Sequence, residues 1–293
     1  MPSKQKVLAI SGLLSGAVTW GLIWYPLRLL EKEGVAGELS TFMMFGIALL
    51  LGVLFFHKTL RQLPPSKTIL ILIAVTAGWT NLAYAIAVIH GEVMRVLLLF
   101  YLSPLWTVLL SRMILGERLN RHGYIVLGLS FCGAMVMLWS PASGLPLPQN
   151  NAEWFGLSAG FMFALSNVLT RKAHYHDVYL KSLSVFAGVS VIAIMPLLFQ
   201  PNMVSPLLVL PVSSWGILLG LGLLAFMATV TVQYGLTHTP SNQAIVIFLF
   251  ELVVAAISAY YLAGEKMMLR EWLGGAMIIT ASLFSGKLGQ KDG

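Results

Sequence analysis

Apolar residues along this chain run in long continuous blocks, each bounded by charges, prolines or asparagines. The blocks fall at about 7 to 30, 38 to 57, 67 to 89, 93 to 114, 122 to 140, 153 to 172, 180 to 199, 212 to 236, 243 to 262 and 269 to 286, each near the roughly 20 residues that cross a bilayer as a helix. Hydrocarbon offers no partner to backbone N–H and C=O groups, so spanning segments are helices or closed barrels, and barrel strands are short and alternating. The pattern predicts an all-α integral membrane protein with ten transmembrane helices. They take up roughly 200 residues and leave roughly 8 for each loop or tail, too few for a soluble domain. The first block follows Lys4 and Lys6, as a signal peptide does, but continues to Leu30 without a small-residue cleavage site, which predicts a retained first span.

Composition agrees with the pattern. Hydrophobic residues make up 58% and charged residues 10% of the 293 positions, against about 25% charged in an ordinary soluble domain. The formal charge of +7 is explained by where the cations lie. With the N-terminus inside, Lys4, Lys6, Lys58, Arg61, Lys67, Arg112, Arg118, Arg121, Arg171, Lys172, Lys181, Lys287 and Lys291 are cytoplasmic. Arg28, Lys32, Arg95, Lys266 and Arg270 fall on the other side. This positive-inside bias predicts cytoplasmic termini in a bacterial inner membrane, and it accounts for the basic charge without a nucleic-acid partner. The single cysteine, Cys132, excludes a disulfide framework or a cysteine metal site within one chain.

An internal repeat divides the chain. A shift of 148 residues pairs His90 with His238, Phe100 with Phe248, Gly116 with Gly264, Glu117 with Glu265 and Arg118 with Lys266. A shift of 144 pairs Gly12 with Gly156 and Gly16 with Gly160. The expected halves are 1–140 and 153–286, joined by a linker at 141–152 and followed by a tail at 287–293. Five spans per half is an odd number, so the second half enters from the opposite side. The expectation is two inverted five-helix repeats around a central cavity, an architecture of secondary transporters. The Trp20-Gly21 pair with Arg28, the Ser103-Pro104 pair, and the loops Gly116-Glu117-Arg118-Leu119 and Gly264-Glu265-Lys266-Met267 resemble the EamA family of the drug/metabolite transporter superfamily. The resemblance covers nearly the whole chain. It implies ten helices, with spans 1, 3, 4, 6, 8 and 9 around the cavity, and export of amino acids, metabolites or drugs. Where members often carry Glu-Pro in the ninth span, this chain has Glu251-Leu252, and the arginine that many members carry near the start of the second span is absent.

Candidate pathway residues lie on those cavity spans. Trp20 and Trp24 share a face of the first span. The third offers Trp79, Asn81 and Tyr84, the fourth Tyr101, Ser103 and Trp106, and the sixth Ser166 and Asn167. Thr229, Gln233 and Thr237 recur every four residues in the eighth, a polar stripe that must face protein or water. Aromatic residues also serve as packing or interfacial belts, so each keeps that second reading. An aromatic cage of Trp20, Trp24, Tyr84, Tyr101 and Trp106 suits an ammonium-bearing solute. Glu251 is the only acid deep within a span, about 12 Å into the ninth at 1.5 Å per residue. Burying a carboxylate there costs about 2.5 to 3.5 kcal/mol, so it marks a pathway or a proton-coupling site, with a structural hydrogen bond as the alternative. His90 and His238, at matching span ends, are candidate proton relays or interfacial caps.

Other motifs carry less. Gly12/Gly16, Gly156/Gly160 and Gly216/Gly220 have the spacing of close helix packing. Gly156-Leu157-Ser158-Ala159-Gly160 matches a hydrolase nucleophile pattern but opens a transmembrane helix, where the required strand-to-helix turn is absent. Glu117 and Glu265 read as capping residues after helix-ending glycines, with a conformational latch as the alternative. The expectation is a secondary transporter of small organic metabolites working by alternating access, an exporter rather than an enzyme, with no cofactor and no metal. Its expected partners are a small-molecule substrate and membrane lipid, with no nucleic acid, and the chain is a monomer or homodimer. Uptake of a vitamin or nucleoside-like cofactor is the alternative. An intramembrane or lipid-modifying enzyme requires a reactive dyad or metal cluster that the sequence does not supply.

Overall fold

The computed structural model describes residues 4–60, 67–91, 93–139, 147–264 and 268–284, and every regular element among them is helical. The first part contains α1 (Lys4–Lys32), α2 (Gly37–Phe55), the single turn α3 (His57–Leu60), α4 (Thr68–His90), α5 (Val93–Phe100), α6 (Ser103–Leu115) and α7 (Arg121–Leu138). The second contains α8 (Asn151–Lys172), α9 (Val178–Phe199), a 3₁₀ turn (Pro201–Leu208), α10 (Val212–His238), α11 (Ser241–Phe248), α12 (Phe250–Ala263) and α13 (Leu269–Phe284). Among the described residues, 8 helical segments are long and apolar enough to cross a membrane. Two long helices fall short of that standard: α13 has only 16 residues, and α8 carries the polar run Ser166, Asn167, Thr170, Arg171 and Lys172. The predicted loop Glu265-Lys266-Met267, the linker residues 141–146 and the tail 287–293 lie outside the described residues.

Large apolar side chains face outward, including Leu50, Leu54, Phe55, Ile125, Leu198, Leu219 and Met227, while serine, threonine, asparagine and glutamine lie inside. That is the reverse of a protein folded in water, and an apolar exterior of this extent belongs against lipid. The polarity of α8 has the same explanation, because α8 packs against α4, α5, α6, α10 and α11 and meets protein on most of its surface. The packing is also crosswise: α4 meets α8 as α10 meets α1, α4 meets α9 as α10 meets α2, and α6 meets α8 as α12 meets α1. The pairs α2–α9 and α7–α13 complete it.

Two segments read from the sequence as continuous, 93 to 114 and 243 to 262, are each broken in the middle. In the first, the amide of Leu102 reaches back to Leu99 and that of Leu105 to Leu102, and Pro104 at the start of α6 has no N–H to continue the α-helical ladder. In the second, Leu252 N–H bonds Leu249 O at 3.1 Å, and the break forms although no proline is present. The missing proline therefore does not remove the interruption. Gly116 and Gly264 end α6 and α12 at φ of 70° and 69°, the left-handed conformation a helix-ending glycine supplies.

Glycines set how closely the helices approach. A Cβ at Gly12 would lie 2.5 Å from the Thr231 carbonyl oxygen, and one at Gly160 would strike the Phe100 carbonyl. Gly133 and Gly274 face each other where α7 meets α13. Gly216 and Gly220, which the spacing also marked for packing, meet nothing within 4 Å, because spacing alone does not say which face a partner covers. Gly160→Ala should therefore lose about 1 to 3 kcal/mol of stability through overpacking against backbone. Gly220→Ala should be neutral or stabilising by up to about 1 kcal/mol. Thermal unfolding of the two variants in detergent checks the contrast, and equal melting temperatures would contradict it.

Candidate functional site

The two helix breaks bring the site together. Tyr101 closes the first broken segment and Glu251 opens α12 after the second. The Tyr101 hydroxyl lies beside the Glu251 carboxyl, and Tyr84 of α4 lies within electrostatic reach of both. Tyr101 is 5% exposed, whereas Glu251 and Tyr84 keep partial accessibility although they sit on inward-facing helices. Gly21 lets α1 close on this point: a Cβ there would lie 2.8 Å from the Glu251 carbonyl oxygen. Beside the carboxylate runs an aromatic chain, with Tyr84 edge-on to Phe100 at 5.2 Å, Phe100 beside Phe163 at 5.5 Å and Phe163 beside Phe248 at 5.7 Å. Phe100 and Phe248 are the pair related by the 148-residue shift, and Phe163 of α8 bridges them. The sequence reading missed Phe163. Its signal was position, on the most polar long helix and one turn before Asn167.

Several buried polar atoms around these helices have no hydrogen-bond partner among the described residues. They are Ser103 Oγ and Trp106 Nε1 on α6, Asn167 Nδ2 and Thr170 Oγ1 on α8, Gln233 Oε1 on α10, and Ser241 Oγ and Gln243 Nε2 on α11. Leaving such a group unpaired costs about 1 to 3 kcal/mol, so a cluster of them is where a polar ligand or water gains most. Ser166 and Thr229 are buried on the same helices.

The remaining predicted residues are spread out. Trp20 stacks on Phe45 at 6.2 Å within the largest apolar cluster. Trp24 Nε1 donates to Ser258 Oγ at 2.9 Å, fixing α1 to α12. Trp79 Nε1 donates to Ser158 Oγ at 3.2 Å, and Asn81 bonds back to Ala77 O in its own helix. Trp106 lies edge-on to Phe161 at 5.5 Å. The structure thus places Tyr84 and Tyr101 together, gives Trp20 and Trp106 aromatic partners, and ties Trp24 to the helix that carries Glu251. His90 is exposed at the end of α4, and His238 Nδ1 contacts Tyr234 O at 2.8 Å at the end of α10. Ser158 sits in regular helix with its hydroxyl on Phe155 O, so no nucleophile turn exists. Among the described residues no group of three histidine, cysteine or acidic side chains is placed to hold a metal.

Charged ties mark both ends of the bundle. At one end Arg95 of α5 forms a bidentate pair with Glu153 of α8, at 2.8 and 3.0 Å, and also donates to Leu147 O. At the other, Glu117 lies 3.6 Å from Arg171 and accepts from the Ser241 N–H at 3.0 Å. A cleft of about 170 Å³, lined by Val108, Arg112, Glu117, Arg118, Tyr124 and Asn242 among others, opens beside it. Burial pushes the Glu117 carboxyl above its ordinary value, against the opposing pull of Arg171 and the Ser241 amide.

A bundle with lipid-facing apolar side chains outside, a polar interior and interrupted helices at a central carboxylate is the construction of a membrane transport protein. The chain belongs to the EamA-like transporter family, which matches it in two consecutive copies, residues 7–139 and 150–286. It is a multi-pass membrane protein. It is 28% identical over 222 residues to an uncharacterized transporter of Archaeoglobus fulgidus, across 75% of this chain and 77% of that one. It is 30% identical over 115 residues to the protein RarD of Escherichia coli K12, across 39% of this chain and 36% of that one. A solved crystal structure superposes with a TM-score of 0.73 over 97% of this chain and 98% of its own, at 18% identity, and shows the same fold.

The Glu117 environment has a consequence for pH. A carboxyl raised on folding takes up a proton more readily folded than unfolded, so ionisation above its ordinary value costs stability and acidification removes that cost. Arg171→Gln leaves Glu117 uncompensated and should cost about 1 to 3 kcal/mol at pH 8, less than a fully buried pair because both side chains keep some solvent. The loss should shrink at pH 5, because the raised carboxyl takes up a proton more readily as the pH falls. Melting in detergent at both pH values tests this, and a loss that grows on acidification would reverse the sign.

Proposed function

We propose that this protein carries small organic solutes bearing an ammonium group, amino acids or amines, across a bacterial inner membrane by alternating access, and that it exports them. The observation that carries the reading is Glu251, the single deep intramembrane acid, beside Tyr101 at the meeting point of two broken helices. Family membership supports transport of a small molecule. The carboxylate and the aromatic chain of Tyr84, Phe100, Phe163 and Phe248 offer a cation its charge partner and its ring faces. Unpaired Asn167 Nδ2, Gln233 Oε1 and Ser103 Oγ offer hydrogen bonds to the rest of the solute. In this reading the halves 1–140 and 153–286 are inverted five-span repeats, ten spans in all, with both termini cytoplasmic. The crosswise helix pairing supports it, since an inverted two-fold exchanges α1 with α8, α4 with α10 and α6 with α12. The protein is a transporter rather than an enzyme, with substrate and lipid as its partners, and works as a monomer or homodimer.

Glu251→Gln keeps the shape of the side chain and removes its charge. It should fold normally and cut flux at least about tenfold, the equivalent of roughly 1.4 kcal/mol at the rate-limiting barrier. Tyr101→Phe should give a smaller loss, because ring packing is retained. Metabolite profiling of a deletion strain identifies the solute, and counterflow of that solute in liposomes measures both variants. Undiminished counterflow in Glu251→Gln would assign Glu251 a structural role and place the solute site elsewhere.

A further inference from the structure

One end of the bundle carries polar contacts that the solute site does not use. Lys181 near the start of α9 has no exposed surface, and its Nζ donates to Ala173 O at 3.2 Å and to the Thr237 hydroxyl. Arg171 at the end of α8 donates to the Thr237 carbonyl and faces Glu117. Glu117, in the loop between α6 and α7, accepts the Ser241 N–H at the start of α11, and Ser111 of α6 donates to Asn242 Oδ1 at 3.3 Å. Four elements of the second half, α8, α9, α10 and α11, are thus joined to each other and to the first half through Thr237 and Glu117.

These contacts differ from the tie at the opposite end. Arg95 and Glu153 are buried and bidentate, an arrangement that fixes geometry. The Arg171–Glu117 contact is a single approach at 3.6 Å, its side chains are 30% and 19% exposed, and the 170 Å³ cleft already brings water to Glu117. Lysine, arginine and glutamate released at an interface exchange protein partners for water at little net cost, unlike apolar side chains. Directly inward of Arg171 and Thr237, one helical turn back on each helix, lie Asn167 and Gln233 with their unpaired polar atoms.

We propose that Arg171 and Lys181, both fastened to Thr237, form a releasable latch that closes this end of the bundle over Asn167 and Gln233, with Glu117 strapping it to α11. The proposal rests on the transport reading for its purpose. On the proposed topology this end is cytoplasmic. Opening requires Thr237 to leave both cations, whereas the Arg95–Glu153 tie at the far end persists as the pivot. Glu117→Gln retains an acceptor for the Ser241 amide and leaves the latch shut; Arg171→Gln frees the Thr237 carbonyl and opens it.

The first arm of the test reads accessibility and does not depend on knowing the solute; the second uses the solute that metabolite profiling identifies. In a Cys132→Ala background, Asn167→Cys supplies one thiol behind the latch, and a membrane-impermeant maleimide is applied to the cytoplasmic face of inside-out vesicles. Adding Arg171→Gln should shift the population towards the open end and raise the labelling rate at least about fivefold, and adding Glu117→Gln should leave it unchanged. In the same thiol-free background with position 167 restored to Asn, Ser111→Cys with Asn242→Cys should cross-link the closed end. Oxidation should then stop counterflow, and reduction should restore it. Labelling at position 167 unaltered by Arg171→Gln in folded protein, or full counterflow by the oxidised pair, would overturn the latch. Should Arg171→Gln fail to fold, the cross-linked pair decides alone. Faster labelling in Arg171→Gln, combined with no flux of any solute, would leave the latch standing and remove the transport reading.

Discussion

Every backbone N–H and C=O group inside hydrocarbon must find its partner within the protein, and the rest of this structure follows from where that requirement is strained. The two places are the junctions after Phe100 and Phe248, where the α-helical ladder gives way to shorter reaches such as Leu252 to Leu249. Such junctions survive only when protein covers them. Gly160 on α8 and Gly21 on α1 supply that cover by letting a whole helix press on the Phe100 and Glu251 carbonyls. The same crowding that shields the broken backbone holds Tyr101, Glu251 and Phe163 in one place. The candidate site and the glycine contacts are thus two results of one constraint.

Polarity is distributed accordingly. Serine, threonine, asparagine and glutamine side chains on α8, α9 and α10 are turned inward, while α2, α9 and α10 turn leucine, valine and methionine to the outside. Apart from Glu251, the ion pairs lie at the ends, bidentate where Arg95 meets Glu153 and looser where Arg171 meets Glu117. A bundle held rigidly at one end and lightly at the other is suited to rocking rather than to a fixed pore.

Much of this was legible in the sequence, because block length and end charges are direct readings of bilayer thickness and topology. Glu251 stood out because no other acid lies so deep, and Gly116 and Gly264 announced helix ends of the kind observed. The break before Glu251 was not legible. In the first half Pro104 gives a local cause, while in the second no proline marks the break, and Leu249 and Leu252 pack with Leu98, Tyr101, Met137 and Ile278, which are distant in sequence. The burial of Lys181, counted among the cytoplasmic cations, was not legible either. The residue is wholly covered, since a side chain on a span's first turn faces inward or outward according to neighbours distant in sequence. The partners of Trp20 and Trp24 were not legible either, for four-residue spacing puts the two on one face but does not say that Phe45 and Ser258 meet them.

The polar character of α8 also bears on how the chain is made. A segment carrying Ser166, Asn167, Thr170, Arg171 and Lys172 is a poor candidate to partition into lipid alone, yet three of its neighbours, α4, α5 and α6, precede it in the chain. When α8 leaves the ribosome, these helices are already in the bilayer and present a cradle with Arg95 waiting for Glu153. Insertion of the second half is in this sense templated by the first, and the order of synthesis is part of what makes the fold reachable.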